Sequence, residues 1–407
     1  MFEVSKKSKE LQLRLRGFME DFIYPNERVF AKQLQLSEDR FSSVPIVEEL
    51  KLKAQSVGLW NLFVPEEHAE HCDHGGLTFF DYAPLCEIMG RVLWSPEVFN
   101  CNAPDTGNME VLMNFGTSAQ REGWLRPLLA GEIRSSYAMT EPQVASSDAT
   151  NIELEIRKED DEWVLNGRKW FITGALYDRT KIFIVMGKSD PDNPNRHLQQ
   201  TQVLVPKDTP GVKLIRPLTT LGYDDAPLGH GEIEFDNVRV PLENVLLGEG
   251  RGFEIAQSRL GPGRMHHCMR LIGCAQRALE LACRRVSHRK TFGRSLSKHQ
   301  SIREEISRCF SETEMARLLV LKTCRQIDLH GVTNSIHMIA ATKTTIPLLV
   351  QNVIDRCMQM HGAAGLTDDY CMAEGFNYAR WCRQADGPDQ VHQMALGRMI
   401  IERYNKT

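Results

Sequence analysis

The hydrophobic period of this chain changes twice, and that constrains the fold more than any other feature. In the first third, apolar residues recur at helical spacing. Leu11, Leu15, Phe18, Met19 and Phe22 share one face as far as Pro25. Val47, Leu50, Leu52 and Ala54 begin a second helix that ends near Gly58. Residues 79–89 and 109–115 read as two more, with Thr106-Gly107 before the latter and Gly116-Thr117 after it. The period then drops to two. Ile152, Leu154 and Ile156 alternate with polar residues, Lys158-Glu159-Asp160-Asp161 turns the chain, and Trp163 and Leu165 alternate again. This is a hairpin, followed by the turn signal Asn166-Gly167. Strand-like runs at 182–185, 203–205 and 232–240 follow, separated by Pro- and Gly-rich loops. Past Gly248-Glu249-Gly250-Arg251-Gly252 the helical period returns, at about 253–290, 297–330 and 334–361, then near 368–381 and 387–404. Helices, strands and helices in that order predict an α+β chain rather than alternating βαβ units. We expect an N-terminal α-helical domain at 1–130, a central antiparallel β domain at 131–245 and a C-terminal long-helix bundle at 246–407.

No strand–Gly-x-Gly-x-x-Gly–helix unit occurs. Gly248-Glu249-Gly250-Arg251-Gly252 has the wrong spacing and follows a loop, and Gly261-Pro262-Gly263 lies inside a helical stretch. A dinucleotide held in the Rossmann manner is therefore disfavoured. At 407 residues the chain can form two or three domains, and its net charge of -4 gives no case for nucleic-acid binding. No apolar run approaches the ~20 residues of a spanning helix. The eleven cysteines are odd in number and form no Cys-x-x-Cys pair, so they read as reduced, buried small hydrophobes. His71-Cys72-Asp73-His74 carries metal-type ligands in a polar loop before Gly75-Gly76, but without a second cluster no metal is expected. The start, Met1 to Lys7, has neither a secretion-signal core nor an Arg-rich transit pattern, and Tyr404-Asn405-Lys406-Thr407 is not a Ser-Lys-Leu address.

Two runs carry chemistry. Tyr137-Ala138-Met139-Thr140-Glu141-Pro142 reaches Ser146-Ser147-Asp148, and Lys169-Trp170-Phe171-Ile172-Thr173-Gly174 follows about thirty residues from the start of the first. Hydroxyls on turn or strand backbone with an adjacent aromatic suit a flat, polar, redox-active ring such as a flavin. Taken singly, each run also reads as an ordinary turn or buried strand.

Taken together, their order and spacing resemble the acyl-CoA dehydrogenase family, and the likeness spans nearly the whole chain. It implies FAD held by Met139, Thr140, Ser146, Ser147, Phe171 and Thr173. Ser146 and Ser147 compete for one pyrophosphate contact, because the loop is one residue longer than usual. In the second half, Arg289-Lys290-Thr291-Phe292-Gly293 with His299-Gln300, and Gln359-Met360-His361-Gly362-Ala363-Ala364-Gly365, resemble segments that reach the FAD of a neighbouring subunit. The resemblance thus implies cofactor contacts by Arg289, Phe292, Gln300, Gln359 and Gly362, with Pro388 and Gln390, and a homo-oligomer arranged as a dimer of dimers. A guanidinium suits pyrophosphate, since its fork bonds two oxygens at once. Arg264 and Gly387 correspond to substrate-binding positions. Asp386, in Asp386-Gly387-Pro388-Asp389-Gln390, stands where the family has its catalytic Glu, one methylene shorter. Gly263 occupies the alternative base position and cannot act as one. Phe171 replaces the usual Trp, Pro388 a Thr and Ala363 a Gly.

The resemblance implies α,β-dehydrogenation of a fatty acyl-CoA, with electrons passed to an electron-transfer flavoprotein or oxygen. It also implies a mitochondrial matrix location in a eukaryote, with peroxisome and cytoplasm as alternatives. The Met-Thr-Glu-Pro-Gln-Val-Ala-Ser-Ser-Asp and Ala-Asp-Gly-Pro-Asp runs resemble members ten and eleven of the family in animals, associated with 4-hydroxyacyl-CoA catabolism. That branch implies a rival chemistry, removal of phosphate from a 4-phosphoacyl-CoA. A catalytically silent flavoprotein with a binding role is the third reading. The DNA-binding relatives use a basic surface that a net charge of -4 does not suggest.

Overall fold

Ser5 opens the first helix of the computed structural model, which describes residues 3–405, by accepting a hydrogen bond from the Ser8 N–H. Of the stretches scanned for addresses, Met1-Phe2 and Lys406-Thr407 lie outside the described residues. The helices of the first third are α1 (Lys6–Phe18), α2 (Glu27–Leu36), α3 (Pro45–Ser56), α4 (Phe79–Met89), α5 (Ser95–Val98), α6 (Asp105–Phe115), α7 (Ser118–Gln120) and α8 (Arg126–Ala130). Strands β1 (Arg134–Ala138), β2 (Glu155–Glu159), β3 (Glu162–Thr173), β4 (Thr180–Lys188), β5 (Gln200–Pro206), β6 (Val212–Leu218) and β7 (His230–Pro241) come next. The remainder is α9 (Gly252–His288), a small hairpin of β8 (Lys290–Thr291) and β9 (Arg294–Ser295), then α10 (Gln300–Asn334), α11 (Ile336–His361), α12 (Met372–Trp381) and α13 (Asp389–Asn405). The α+β order is as expected, and no helix among the described residues is long and apolar enough to cross a membrane.

Three local expectations are corrected. Pro25 does not end the helical stretch. A π turn at Met19–Ile23 and a 3-10 turn at Tyr24–Asn26 carry the chain into α2. Changing the hydrogen-bond ladder accommodates a residue without an N–H. Thr106-Gly107 lies within α6, not before it. Asn166-Gly167 is not a turn either: it sits in the middle of β3, where the register against β7 shifts between Leu165 and Gly167. Gly167 has φ +146°, and a Cβ there would meet the Leu154 Cα at 3.0 Å. Asn166 Oδ1 accepts the Asn237 N–H at 2.8 Å. The pair is a bulge, and glycine is there for backbone approach.

Spatially the chain groups into two units. One comprises Asn26–Gly76 and Glu97–Leu260. Its sheet runs β1-β4-β2-β3-β7-β6 with β5 also on β4, antiparallel except where β4 meets β1 and the end of β2 in parallel. Trp163, Phe183, Val185, Val203, Ile233 and Phe235 fill its core. β1 and β6 were not among the strands read from the sequence.

The other unit comprises Met1–Pro25, Leu77–Pro96 and Gly261–Thr407. Here Asp328 of α10 accepts the Phe79 and Phe80 N–H groups at 2.8 and 3.0 Å. A carboxylate thus satisfies the open N-terminus of α4, which Thr78 also caps.

Candidate active site

In the sheet unit the two chemistry-bearing runs are fastened to each other. The Trp170 N–H donates to the Thr140 carbonyl at 3.0 Å, and the Thr140 hydroxyl donates to the Trp170 carbonyl at 2.5 Å. Beneath them lies a buried ion pair. Lys169 Nζ donates to the Met139 carbonyl and to Glu141 Oε1, both at 2.7 Å, and Glu141 also accepts the Glu153 and Leu154 N–H groups. Burial lowers the Lys169 ammonium to about 8, and the Glu141 carboxylate opposes that shift. Losing one partner of such a pair costs about 3–5 kcal/mol. Both residues stood inside the runs quoted from the sequence. Their pairing across 28 positions did not show there.

Above this base Phe171 leaves the pleat. The register of β3 shifts between Lys169 and Ile172, Phe171 takes φ +51°, and its side chain stays 44 % exposed with its ring 4.9 Å from that of Trp170. Thr173 meets a residue that sequence reasoning missed: its hydroxyl lies 3.0 Å from His230 Nδ1, and His230 Nε2 lies 2.9 Å from Asp225 Oδ2. An ionised carboxylate only accepts, so the ring proton belongs on Nε2 and Thr173 donates to Nδ1. In the long loop Ser146 closes the turn, accepting the Glu141 N–H at 2.8 Å, while Ser147 is exposed. Met139 is buried at the end of β1.

In the helical unit Asp386 heads a turn of two left-handed residues, at φ +55°, with Gly387 at φ +102°. Its carbonyl accepts from Arg264 Nε at 2.9 Å and from His392 Nε2 at 3.2 Å. Burial, with help from Arg264, holds the His392 imidazole down at about 4, so it donates as a neutral ring. Gly387 leaves room for it, since a Cβ there would meet His392 Nε2 at 2.8 Å. Lys343 Nζ donates to the carbonyls of Cys382 and Gly387, and Arg383 bonds Asp389 at the start of α13. Arg264, expected to bind substrate, is here an anchor of the Asp386 backbone. A Cβ built on Gly263 would stand 3.6 Å from Asp386 Oδ2. The two alternative base positions therefore converge on one place, and only one of them carries a carboxylate.

The remaining predicted residues of this unit lie at its surface. Arg289 and the 97 % exposed Phe292 belong to the β8–β9 hairpin region, Gln300 begins α10, and Gln359 and Gly362 end α11. Arg289 lines a cleft of about 400 Å³ with Leu281, Arg284, Arg285, His288 and Tyr370. Pro388 is half-buried and Gln390 is exposed at the start of α13.

Metal-type ligands fall differently from the sequence reading. Among the described residues, His68, Glu70 and His71 bring ligand atoms within 4.8 Å of one another; Cys72, Asp73 and His74 are not part of that group. His68 Nε2 is 2.9 Å from Asn114 Oδ1.

Three family models match in succession: acyl-CoA dehydrogenase N-terminal domain at residues 5–132, middle domain at 136–238 and C-terminal domain at 250–401. The chain is 50 % identical to mouse acyl-CoA dehydrogenase family member 10, over 99 % of this chain and 38 % of that protein. It is 46 % identical to a Mycobacterium tuberculosis protein named probable acyl-CoA dehydrogenase FadE2, over all of this chain and 98 % of that one. A solved Mycobacterium abscessus structure assigned to the acyl-CoA dehydrogenases superposes with a TM-score of 0.95 at 45 % identity, covering 99 % of this chain and 100 % of that one. The chain spans about half the length, or less, of the animal and plant relatives it matches.

Proposed function

This chain belongs to the acyl-CoA dehydrogenase family, and on that premise we propose that it is an FAD-dependent enzyme that dehydrogenates a fatty acyl-CoA between its α- and β-carbons. The fold of this family binds FAD, and the residues present fit that group. An exposed aromatic ring at Phe171 and an exposed hydroxyl at Ser147 stand in the fastened runs, with Thr173 on the same strand. Met139 and Thr140 would contribute backbone and hydroxyl contacts. Since Ser146 is committed to its own turn, Ser147 is the better pyrophosphate ligand. Arg289, Phe292, Gln300, Gln359 and Gly362 would serve the cofactor of a second subunit, joined on the α13 side by Pro388 and Gln390. When bound, FAD supplies the acceptor for the β-hydride.

The observation that carries the reading is the Asp386 turn. A carboxylate held by Arg264 and His392 through its own backbone, beside a glycine at the alternative base position, is built to present oxygen in one direction. It would take the α-proton, while the Asp386 N–H donates to the thioester oxygen so that the negative charge can develop there. An ordinary Asp near ~3.9 is a weak base, so desolvation by the bound acyl chain must raise it. Electrons would leave through an electron-transfer flavoprotein or oxygen. Asp386→Asn should keep its FAD and visible spectrum and lose bleaching by acyl-CoA by about 10²–10⁴-fold. Retained bleaching would sink the assignment of the base.

A second reading, phosphate removal from a 4-phosphoacyl-CoA, draws on the same turn. A shortened carboxylate with an imidazole 3.6 Å away can return a proton as well as take one. Phosphate release with no electron acceptor present would favour it.

A further inference from the structure

Behind Asp386 stands a cluster of which the second reading uses only the imidazole. His267, on α9, is buried, and its Nε2 lies 3.6 Å from Asp386 Oδ2. Its other nitrogen, Nδ1, meets three groups: the Tyr378 hydroxyl at 3.0 Å, Arg270 Nη2 at 3.3 Å and Cys382 Sγ at 3.8 Å. Each can donate. The guanidinium has only donors, and Arg270 Nε already donates to the Tyr378 oxygen at 3.2 Å, which leaves the phenol proton to point at Nδ1. Burial pushes both the Tyr378 phenol and the Cys382 thiol up, so both keep their protons. Nδ1 must therefore accept, and the ring proton sits on Nε2, facing the carboxylate. Trp381 closes the ring from the side, edge-on at 5.6 Å between centroids.

We propose that His267 is a positioning residue for the Asp386 base: its Nε2–H faces Oδ2 across 3.6 Å and closes to hydrogen-bond distance when acyl-CoA fills the site, which fixes the direction in which the carboxylate meets the substrate's α-proton. In that step the Cα–H bond breaks, an O–H bond forms on the Asp386 carboxylate and the electron pair is delocalised toward the thioester oxygen. The inference rests on Asp386 as the base. It supplies what the missing methylene removes, since a shorter carboxylate needs a second contact to hold its direction within the fraction of an ångström that proton transfer tolerates. The charged and titratable groups around the pair include Arg264, His266, Cys268 and Arg270 from α9, Lys343 from α11, Tyr378 from α12, Cys382 after it, and His392 from α13.

The test uses the FAD-loaded enzyme with His267→Leu and His267→Gln, the latter keeping an N–H near the Nε2 position. The Leu variant should slow single-turnover bleaching by about tenfold or more with acyl-CoA affinity within about twofold. The pKa that governs its rate should rise, because the carboxylate has lost a donor, and the Gln variant should restore most of both. A Leu variant with the parent rate and pH profile overturns the proposal. Neutron diffraction from the deuterated holoenzyme decides the pair independently of activity: a deuteron on Nε2 supports it, and one on Nδ1 overturns it. Bleaching retained by Asp386→Asn would instead overturn the base reading on which it rests.

Discussion

Glu110 is buried in α6, near the guanidinium of Arg259, which donates Nε to Asn108 Oδ1 at 3.1 Å and covers the Tyr137 ring at 4.0 Å. Burial pushes its carboxyl up to about 8, against the opposing pull of Arg259. A folded-state value above the unfolded one means the native protein holds a proton that the unfolded chain has released. Stability from that proton is full below about 4.5 and is lost as pH rises through about 8. Glu110→Gln removes this dependence. Between pH 5 and 8 the slope of unfolding free energy against pH should become more positive by up to about 1.4 kcal/mol per pH unit, and above pH 8 the variant should be the more stable. Urea titrations at pH 5, 7 and 9 check it, and an unchanged slope would show that the carboxyl is ionised throughout.

At the scale of elements, the closest approach in the helical unit is made by two glycines. A Cβ on Gly90, just after α4, would meet the Arg270 carbonyl at 2.3 Å, and one on Gly273 of α9 would meet the Glu87 carbonyl at 2.1 Å. Backbone lies on both sides, so nothing flexible can give way. Cys274 uses this proximity, donating Sγ–H to the Gly90 carbonyl at 3.0 Å. Gly273→Ala should therefore lower stability by about 1–3 kcal/mol. Gly17, on the exposed face of α1 with nothing within 4 Å of a Cβ, is the control, and Ala there should stabilise by roughly 0.5–1 kcal/mol. Denaturant midpoints of the two variants should move in opposite directions. The same crossing carries α9 past α4 and so sets where Arg264, His267 and Arg270 stand.

Across the whole molecule, the helical unit leaves large apolar side chains in solvent. Phe310, Leu318 and Leu329 of α10, Leu366 after α11, and Met394 and Ile401 of α13 are exposed, with Phe292 on its hairpin. Exposed apolar surface of this kind supports the proposal that subunits share cofactor. Light scattering should return a mass several times the 46.4 kDa of one chain. Arg289→Glu should keep the helical circular dichroism and lose FAD on gel filtration. A 46.4 kDa species that retains FAD would rule the shared site out.

The order of elements, the two chemistry-bearing runs and the carboxylate at 386 were legible in the sequence because each is a local pattern: period, turn chemistry or motif. The helix continuing past Pro25 and the bulge at Asn166-Gly167 were not, since a change of hydrogen-bond ladder overrode the stop signal and pairing with β7 overrode the turn signal. Nor were the partners of the site. Lys169 with Glu141, His230 behind Thr173, His267 beside Asp386 and Arg264 on its carbonyl join residues 28 to 122 positions apart. Sequence by itself determined the family, the α+β order and the residue types at the site. Tertiary structure alone decided which serine is committed, that Gly263 and Asp386 share one place, and which ring nitrogen faces the carboxylate. Hydrogen-bond direction depends on what surrounds an atom in space, and a linear pattern carries no record of that.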